Sequence, residues 1–243
     1  MKRYIILLLL IPGWVSAQNR QIVVASSGED LSQKASARMQ FLFPEFTQGD
    51  VYYNGYKGNG KLNYNMLLGE MQFLENNQVL ALANVKDVIV VNISNRKFYP
   101  FNDKEFTEEL MSTGNYHLRV RRKGNAAQYS KKGAYGTTSS TSSITSYSSI
   151  VSDGRQFDLS VIEEVLISLN CFYYLVGTNG KHILIKNIKT FTKQFSAYRS
   201  HVEEFAKNNN TRFDHEDDLK ALLKFCSKLG VENGEALDES IKN

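Results

Sequence analysis

An alternation of apolar and polar side chains is the feature that most limits how this chain can fold. Apolar side chains occupy every second position from 62 to 68, and Tyr116, Leu118 and Val120 repeat the pattern later. Successive side chains of a β-strand point to opposite faces, so this period predicts strands with one buried face. Turn residues such as Asn76-Asn77 and Ser94-Asn95 separate the runs. The sequence therefore predicts a meander of short antiparallel strands between residues 41 and 122.

The last third of the chain is predicted to contain a hairpin followed by helices. Asn179-Gly180 lies between two apolar, β-prone runs, which is a strong hairpin signal. Apolar residues then recur at helical spacing, and the clearest stripe is Leu219, Leu222, Leu223, Cys226 and Leu229. Gly230 is placed where a helix commonly ends. The predicted class is α+β: an antiparallel β-rich region, a hairpin and a small C-terminal helical segment.

Composition divides the chain into five segments. A run of serine and threonine, GTTSSTSSITSYSS, contains almost no large aliphatic residue and is typical of a linker or long loop. An alternative is an extended segment laid on a partner, because tyrosine and isoleucine interrupt the serines. The predicted segments are 1–17 (signal peptide), 18–123 (β-rich), 124–154 (Ser/Thr-rich linker or long loop), 155–230 (hairpin and helices) and 231–243 (flexible tail).

The first 17 residues have the pattern of a cleaved export signal. Lys2 and Arg3 precede an apolar run from Ile5 to Ile11, and Val15-Ser16-Ala17 supplies the small residues that a signal peptidase reads. The run is shorter than the roughly 20 apolar residues of a membrane span, and no later run is long enough. No cysteine follows the expected cleavage site, so no lipid anchor is predicted. We expect a mature chain that begins at Gln18 in the periplasm or is secreted.

Charge and motifs exclude several classes of function. The formal net charge is +4, and Lys2 and Arg3 supply two of those charges, so a nucleic-acid partner is not expected. The four histidines form no HxH or HExxH pair, and no GxSxG or SxxK motif is present. We therefore predict no catalytic residue, no metal ligand and no cofactor, and the sequence favours a non-catalytic protein.

Tyrosines and arginines of the β-rich region are the candidate binding residues. Exposed tyrosines on a sheet can contact a sugar or a partner protein, and a basic strand can contact an anionic surface. The alternative is structural, because tyrosines also pack sheets and a charged edge strand blocks aggregation. The candidates are Tyr52, Tyr53, Tyr64, Tyr99, Arg119 and Arg121.

Cys171 and Cys226 are the only cysteines of the chain. Export would permit a disulfide between them. Each lies within an apolar pattern, however, and free cysteine commonly behaves as a small buried hydrophobe. Buried free thiols are the favoured interpretation, and a disulfide is the alternative.

Two stretches carry a resemblance to known exported proteins. The block from FPEFTQGD to NVKDVIVV, with its KLNYN and EMQF segments, and the tail KNIKTFTKQFSAYRSHVEEFAKNNNTRFDHEDDLKALLKF together cover most of the mature chain. They resemble a loosely defined group of exported proteins from Bacteroidota-type bacteria. The resemblance implies a Gram-negative envelope, and it implies no ligand or activity.

These observations favour a non-catalytic envelope protein that binds a protein or glycan partner through its sheet. Two alternatives stay open. One is a periplasmic hydrolase whose site is assembled from residues distant in sequence, and the other is a carrier for a small apolar ligand between sheet and helices.

Overall fold

The computed structural model of the chain describes residues 20–25, 34–128 and 163–240. The strands in these ranges are β1 (Arg20–Ala25), β2 (Thr47–Tyr53), β3 (Lys57–Asn65), β4 (Glu70–Glu75), β5 (Gln78–Ala81), β6 (Val88–Ile93), β7 (Arg96–Pro100), β8 (Phe106–Thr113), β9 (Tyr116–Gln128), β10 (Glu163–Gly177) and β11 (His182–Leu184). The α-helices are α1 (Ala37–Gln40), α2 (Ile188–Thr192), α3 (Arg199–Asn208) and α4 (Glu216–Ser240), and short 3-10 turns cover Val85–Asp87 and Ser196–Tyr198.

These strands form one antiparallel sheet. Its order is β1, β10, β9, β8, β7, β6, β2, β3, β4 and β5, and β11 also pairs with β10. Neighbouring strands from β2 to β5 and from β6 to β9 are consecutive in sequence, as in a meander. The pairing of β6 with β2 joins the two runs. The chain is thus mainly an antiparallel sheet with a few helices, consistent with the α+β prediction.

The turns predicted at paired polar residues close tight hairpins. Asn76 and Asn77 have φ of 49° and 61°, and Ser94 and Asn95 have φ of 48° and 64°. Positive φ at both central residues suits the twist of a two-residue hairpin loop, and asparagine tolerates this conformation better than most residues. The two turns therefore set the registers of β4 against β5 and of β6 against β7.

The predicted segment boundaries shift at β9 and β10. β9 continues to Gln128, five residues into the predicted linker, and pairs with β10 from Tyr116 opposite Gly177 to Gln128 opposite Val165. The described chain resumes at Glu163, which begins the strand β10. The remainder of the predicted linker, 129–154, lies outside the described residues. Because β10 belongs to the same sheet as β9, the predicted hairpin region is continuous with the β-rich region.

One core lies where the sheet curls back on itself. The turn after β3 reaches β8 and β9, since Phe106 N donates to Gly69 O at 2.8 Å and Gly124 N donates to Leu67 O at 2.8 Å. This curl closes around buried side chains of β2, β3, β4, β6, β7 and β8, which we call the curled core. They include Val51, Leu62, Tyr64, Met71, Val91, Ile93, Phe98 and Phe106.

A second core, which we call the helical core, lies between the sheet and the helices. Leu118, Val120, Tyr173 and Leu175 of β9 and β10 pack against buried residues of the helical region, which include Phe191, Phe195, Val202, Leu219, Leu222, Leu223 and Cys226. The predicted stripe of α4 is therefore its buried face. A smaller cluster around Val23, Met39, Leu67, Ala126 and Ile167 anchors β1 and α1.

Local residues fix the ends of α2 and α4, and one end differs from the sequence prediction. Asn187 caps α2, and Thr190 completes a capping box as the third helical residue. The helix α4 begins at Glu216, with three acidic residues in its first turn. It also passes through Gly230 and continues to Ser240, so most of the predicted flexible tail is helical.

A buried ion cluster joins the two cores. The Glu108 carboxylate of β8 accepts hydrogen bonds from Arg96 and Arg122, and Arg122 Nη2 lies 3.9 Å from Glu216 Oε2 at the start of α4. The Glu108 and Arg122 side chains are 4% and 9% exposed. Buried charges are tolerated when they are paired and hydrogen-bonded, as they are here.

Candidate functional site

The sheet has one side that the helices α2–α4 do not cover, and we call this side of β7–β11 the outer face. Leu118 and Val120 point into the helical core, so Arg119 and Arg121 point to the opposite side. Phe98 points into the curled core, which places Tyr99 on the same side as the two arginines. The structure therefore brings three of the six predicted binding residues together.

Each arginine of the outer face lies over aromatic rings. The Arg119 guanidinium carbon is 3.9 Å from the centroid of Tyr99, and the Arg121 carbon is 4.7 Å from Phe101 and 5.1 Å from Phe172. Such contacts contribute about 0.5–2 kcal/mol each and hold the planar guanidinium in a fixed orientation. The outer face thus presents ordered cations.

The acidic residues of the outer face are already engaged. Glu105 accepts a hydrogen bond from Arg121 Nη1 at 3.1 Å and another from Lys123 Nζ. Glu109, which lies opposite Arg119 in the β8–β9 register, is 2.7 Å from His117 Nδ1. Within the described part of the chain, the Arg119 guanidinium has no hydrogen bond and no close ion pair. The charge of Glu109 nevertheless acts on Arg119, where it opposes the lowering of the arginine pKa by burial.

A histidine of β11, His182, also belongs to the outer face. The His182 ring lies edge-on to Phe101 and Tyr174, with centroid distances of 5.3 and 5.9 Å. Burial, together with the charge of Arg119, lowers the pKa of His182, and burial also lowers the pKa of Arg119. The Nε2 atom of His182 is buried and has no hydrogen-bond partner among the described residues, and the same is true of the Nε atom of Arg119. These groups satisfy the usual signs of a functional site, namely partial burial and unused hydrogen-bonding capacity.

The other three predicted binding residues have different environments. Tyr52 lies on the same side of the sheet as Tyr99 but two strands away, with Lys57 Nζ 5.3 Å from its ring centroid. Tyr53 stacks on Tyr56 at 4.4 Å at the end of the β2–β3 hairpin. Tyr64 is fully buried and donates a hydrogen bond to Phe106 O at 3.0 Å. The prediction for Tyr64 is therefore corrected, since it packs the curled core and cannot touch a partner.

Sequence reasoning missed four members of the outer face: Phe101, Phe172, Tyr174 and His182. Phe172 and Tyr174 alternate along β10, so their shared face was available from the sequence. Their position opposite Arg121 and Arg119 depends on the β9–β10 register. That register spans a long insertion, and no local pattern specifies it.

A cleft of about 790 Å³ opens between the β8–β9 turn and the helical region. Tyr116, Phe195 and Tyr198 supply aromatic walls, and Cys226, Ser227 and Lys228 of α4 border it. Tyr116 Oη donates to Gln194 O at 3.0 Å, which ties the turn to the segment after α2. The cleft has the size and mixed lining of a small-molecule site.

Both cysteines are free thiols in the structure. Cys226 belongs to the helical core, and burial raises the pKa of its thiol to about 12. Cys171 is half-buried on β10, and burial raises the pKa of its thiol too. A raised pKa leaves little thiolate at neutral pH, so neither residue has the environment of a nucleophile.

The part of the chain that the structure describes contains neither a cluster of metal ligands nor a helix that could span a membrane. No group of three His, Cys, Asp or Glu side chains there is placed to hold a metal ion. None of the helices in this part has the length and apolar character needed to cross a membrane. Comparison with known proteins gave no matching family model and no match among curated proteins or solved structures.

Proposed function

We propose that this chain is an exported, non-catalytic protein of the cell envelope that binds a partner, a protein or a glycan, through the outer face of its sheet. The signal pattern of residues 1–17 supports export to the periplasm or out of the cell. The resemblance to exported proteins of Bacteroidota-type bacteria supports the same location.

One observation carries the binding part of the proposal. Arg119 is oriented by Tyr99 on the sheet face that α2–α4 leave uncovered, and its guanidinium makes no hydrogen bond or close ion pair with the described residues, although the charge of Glu109 acts on it. Arginine and tyrosine are enriched at binding surfaces because each combines a large contact area with directed hydrogen bonds. An ordered guanidinium with unused hydrogen-bonding capacity beside aromatic rings therefore has the chemistry of a contact residue.

The test compares two variants that each remove one positive charge. Arg119→Gln removes the charge from the outer face, and Lys224→Gln removes an exposed charge from α4 on the opposite side. The mature protein is immobilised, and its binding to fractionated envelope protein and envelope glycan is measured with a biosensor. We expect saturable binding that Arg119→Gln weakens and Lys224→Gln preserves. Equal binding by all three proteins would contradict the use of the outer face.

A second candidate function is the transport of a small ligand with an apolar body in the cleft beside Tyr116. The volume of the cleft and its aromatic walls favour this function. Native mass spectrometry of the protein purified from its own envelope distinguishes the two. A bound small molecule that is lost on substitution of Tyr198 by Ser supports a carrier.

A further inference from the structure

We infer that the cleft beside Tyr116 binds a small anion with an aromatic body, held by ring contacts with the cleft walls and by the Lys228 ammonium group. The inference rests on the second candidate function, because it names the class of ligand for the same cleft. Three properties of the cleft carry it: walls that are fixed in place, an apolar lining made of aromatic rings, and charge of one sign.

The walls of the cleft are held together by contacts within the protein. Tyr116 Oη donates to Gln194 O at 3.0 Å, so the β8–β9 turn is tied to the segment that follows α2. The Tyr116 ring also contacts the Phe195 ring, with a centroid distance of 4.8 Å. Phe195 and Cys226 are buried members of the helical core, which gives the cleft a packed base. A preformed site spares a ligand the cost of ordering protein segments.

The apolar part of the lining favours an aromatic ligand. The large apolar side chains that line the cleft are those of Tyr116, Phe195 and Tyr198. Among the described residues of the lining there is no leucine, isoleucine, valine or methionine. Aromatic rings attract one another in offset and edge-to-face arrangements, and this attraction adds to the effect of buried area. An aromatic body gains it from these walls, whereas an alkyl chain does not.

The charge around the cleft is positive. The lining consists of residues 113–116, 194–198 and 226–228, and these stretches contain no aspartate or glutamate. Lys228 is exposed and makes no ion pair or hydrogen bond within the described part of the chain. Lys193, which directly precedes the second stretch, is exposed as well. An anionic group of a bound ligand can therefore approach Lys228 without meeting a carboxylate of the lining.

The experiment uses two fluorescent probes that share one ring system. 1-Anilinonaphthalene-8-sulfonate carries an anionic sulfonate, and N-phenyl-1-naphthylamine lacks it. Both become brighter when they leave water for an apolar site, so titration of the mature protein gives their dissociation constants. Two further anions compete with the sulfonate probe: 2-naphthoate, which has an aromatic body, and decanoate, which has an alkyl chain.

Three variants are compared with the wild-type protein. Lys228→Gln removes the charge of the cleft, and Lys207→Gln is the control, because it removes an exposed charge at the far end of α3. Ala197→Trp places a large ring in the cleft from an exposed position of its lining. Thermal melting of each variant verifies that it is folded.

We expect one molecule of the sulfonate probe to bind about fivefold more tightly than the neutral probe, as for a single partly exposed ion pair. Lys228→Gln should remove this difference, and Lys207→Gln should preserve it. Ala197→Trp should abolish the binding of both probes. 2-Naphthoate should displace the sulfonate probe at a lower concentration than decanoate does.

Four outcomes would overturn the inference: equal affinities for the two probes, a preference for the sulfonate that survives Lys228→Gln, binding that survives Ala197→Trp, or more effective displacement by decanoate than by 2-naphthoate. The carrier function itself is tested separately by native mass spectrometry of the protein from its own envelope. A neutral molecule that co-purifies and is lost on substitution of Tyr198 by Ser would support the carrier and overturn only the assignment of an anion.

Discussion

At the scale of single residues, Gly49 and Gly60 show how closely β2 packs. They lie opposite each other in the β2–β3 register. A Cβ on Gly49 would lie 2.7 Å from Asn92 O and 3.0 Å from Ile93 Cγ1, whereas a Cβ on Gly60 would meet nothing within 4 Å. The first glycine is thus required by the close approach of β6, and the second is not.

This pair gives a matched stability prediction. Gly49→Ala should lower the free energy of unfolding by about 1–3 kcal/mol, because the added methyl overpacks the curled core. Gly60→Ala should leave it unchanged or raise it by up to about 1 kcal/mol, since alanine loses less backbone entropy than glycine. Urea unfolding of the two variants measures both values. Equal losses of stability in both would show that the close approach of β6 is not the cause.

The candidate binding residues show what alternation can predict and what it cannot. The period of two correctly separated Arg119 and Arg121 from Leu118 and Val120, because successive side chains of a strand point to opposite faces of the sheet. The same period placed Tyr64 on the apolar side of β3 with Leu62 and Met66, so the pattern indicated its burial, and its choice as a binding residue went against that pattern. Alternation does not predict the degree of enclosure, which at Tyr64 is complete because the whole sheet curls around it.

At the scale of secondary-structure elements, the ion cluster of Glu108 fixes α4 against the sheet. Glu108 binds two arginines, and Arg122 in turn approaches Glu216 in the first turn of α4. The cluster lies between the curled core and the helical core, so it couples elements that the sequence separates by about a hundred residues. Removal of the Glu108 carboxylate should therefore destabilise both the curled core and the helical core.

We predict that Glu108→Gln lowers the free energy of unfolding by about 3–5 kcal/mol, because it leaves the buried Arg122 charge without its main partner. Glu216→Gln removes a carboxylate that is 35% exposed and 3.9 Å from Arg122, and should cost no more than about 1 kcal/mol. Thermal and chemical unfolding compare the two variants. An equally large loss of stability for Glu216→Gln and Glu108→Gln would contradict this prediction, because it would show that the contact of Arg122 with α4 contributes as much stability as its ion pair with Glu108.

Elements were predictable where the signal was local. The two-residue turns at Asn76-Asn77 and Ser94-Asn95 and the buried stripe of α4 follow directly from turn chemistry and helical spacing. The end of α4 was missed because a glycine inside a helix costs only about 1 kcal/mol and does not oblige the helix to stop. The insertion of β2 between β6 and β3 was missed because pairing between distant strands has no signature in the intervening sequence.

At the scale of the whole molecule, the strands on either side of residues 129–162 belong to one sheet. β9 and β10 pair along the full length of β9, and the helices that follow β10 pack on side chains of β9. The predicted β-rich and hairpin–helix regions are therefore halves of one structure. Neither half keeps its buried surface when the other is taken away.

This continuity predicts the behaviour of a cut chain. A specific protease site introduced between residues 129 and 162 should give two fragments that co-elute in native size-exclusion chromatography. They should separate only in denaturant, because the β9–β10 ladder and the helical core hold them together. The uncut protein in the same buffers is the control. Fragments that separate without denaturant and stay folded would establish two independent domains.

The far end of the sheet has a practical consequence. β5 is the last strand in that direction, all four of its residues are exposed, and Val79 and Leu80 remain 47% and 40% accessible. Leu82 N donates to Met71 O, so the alternating pattern of an antiparallel pair directs the main chain of Leu80 toward β4. The N–H and C=O groups of Val79 and Ala81 therefore point outward. An apolar strand edge with free main-chain groups recruits further strands from other molecules. We therefore expect concentrated solutions to aggregate through these four residues and Leu80→Lys to slow the aggregation, as measured by light scattering over time.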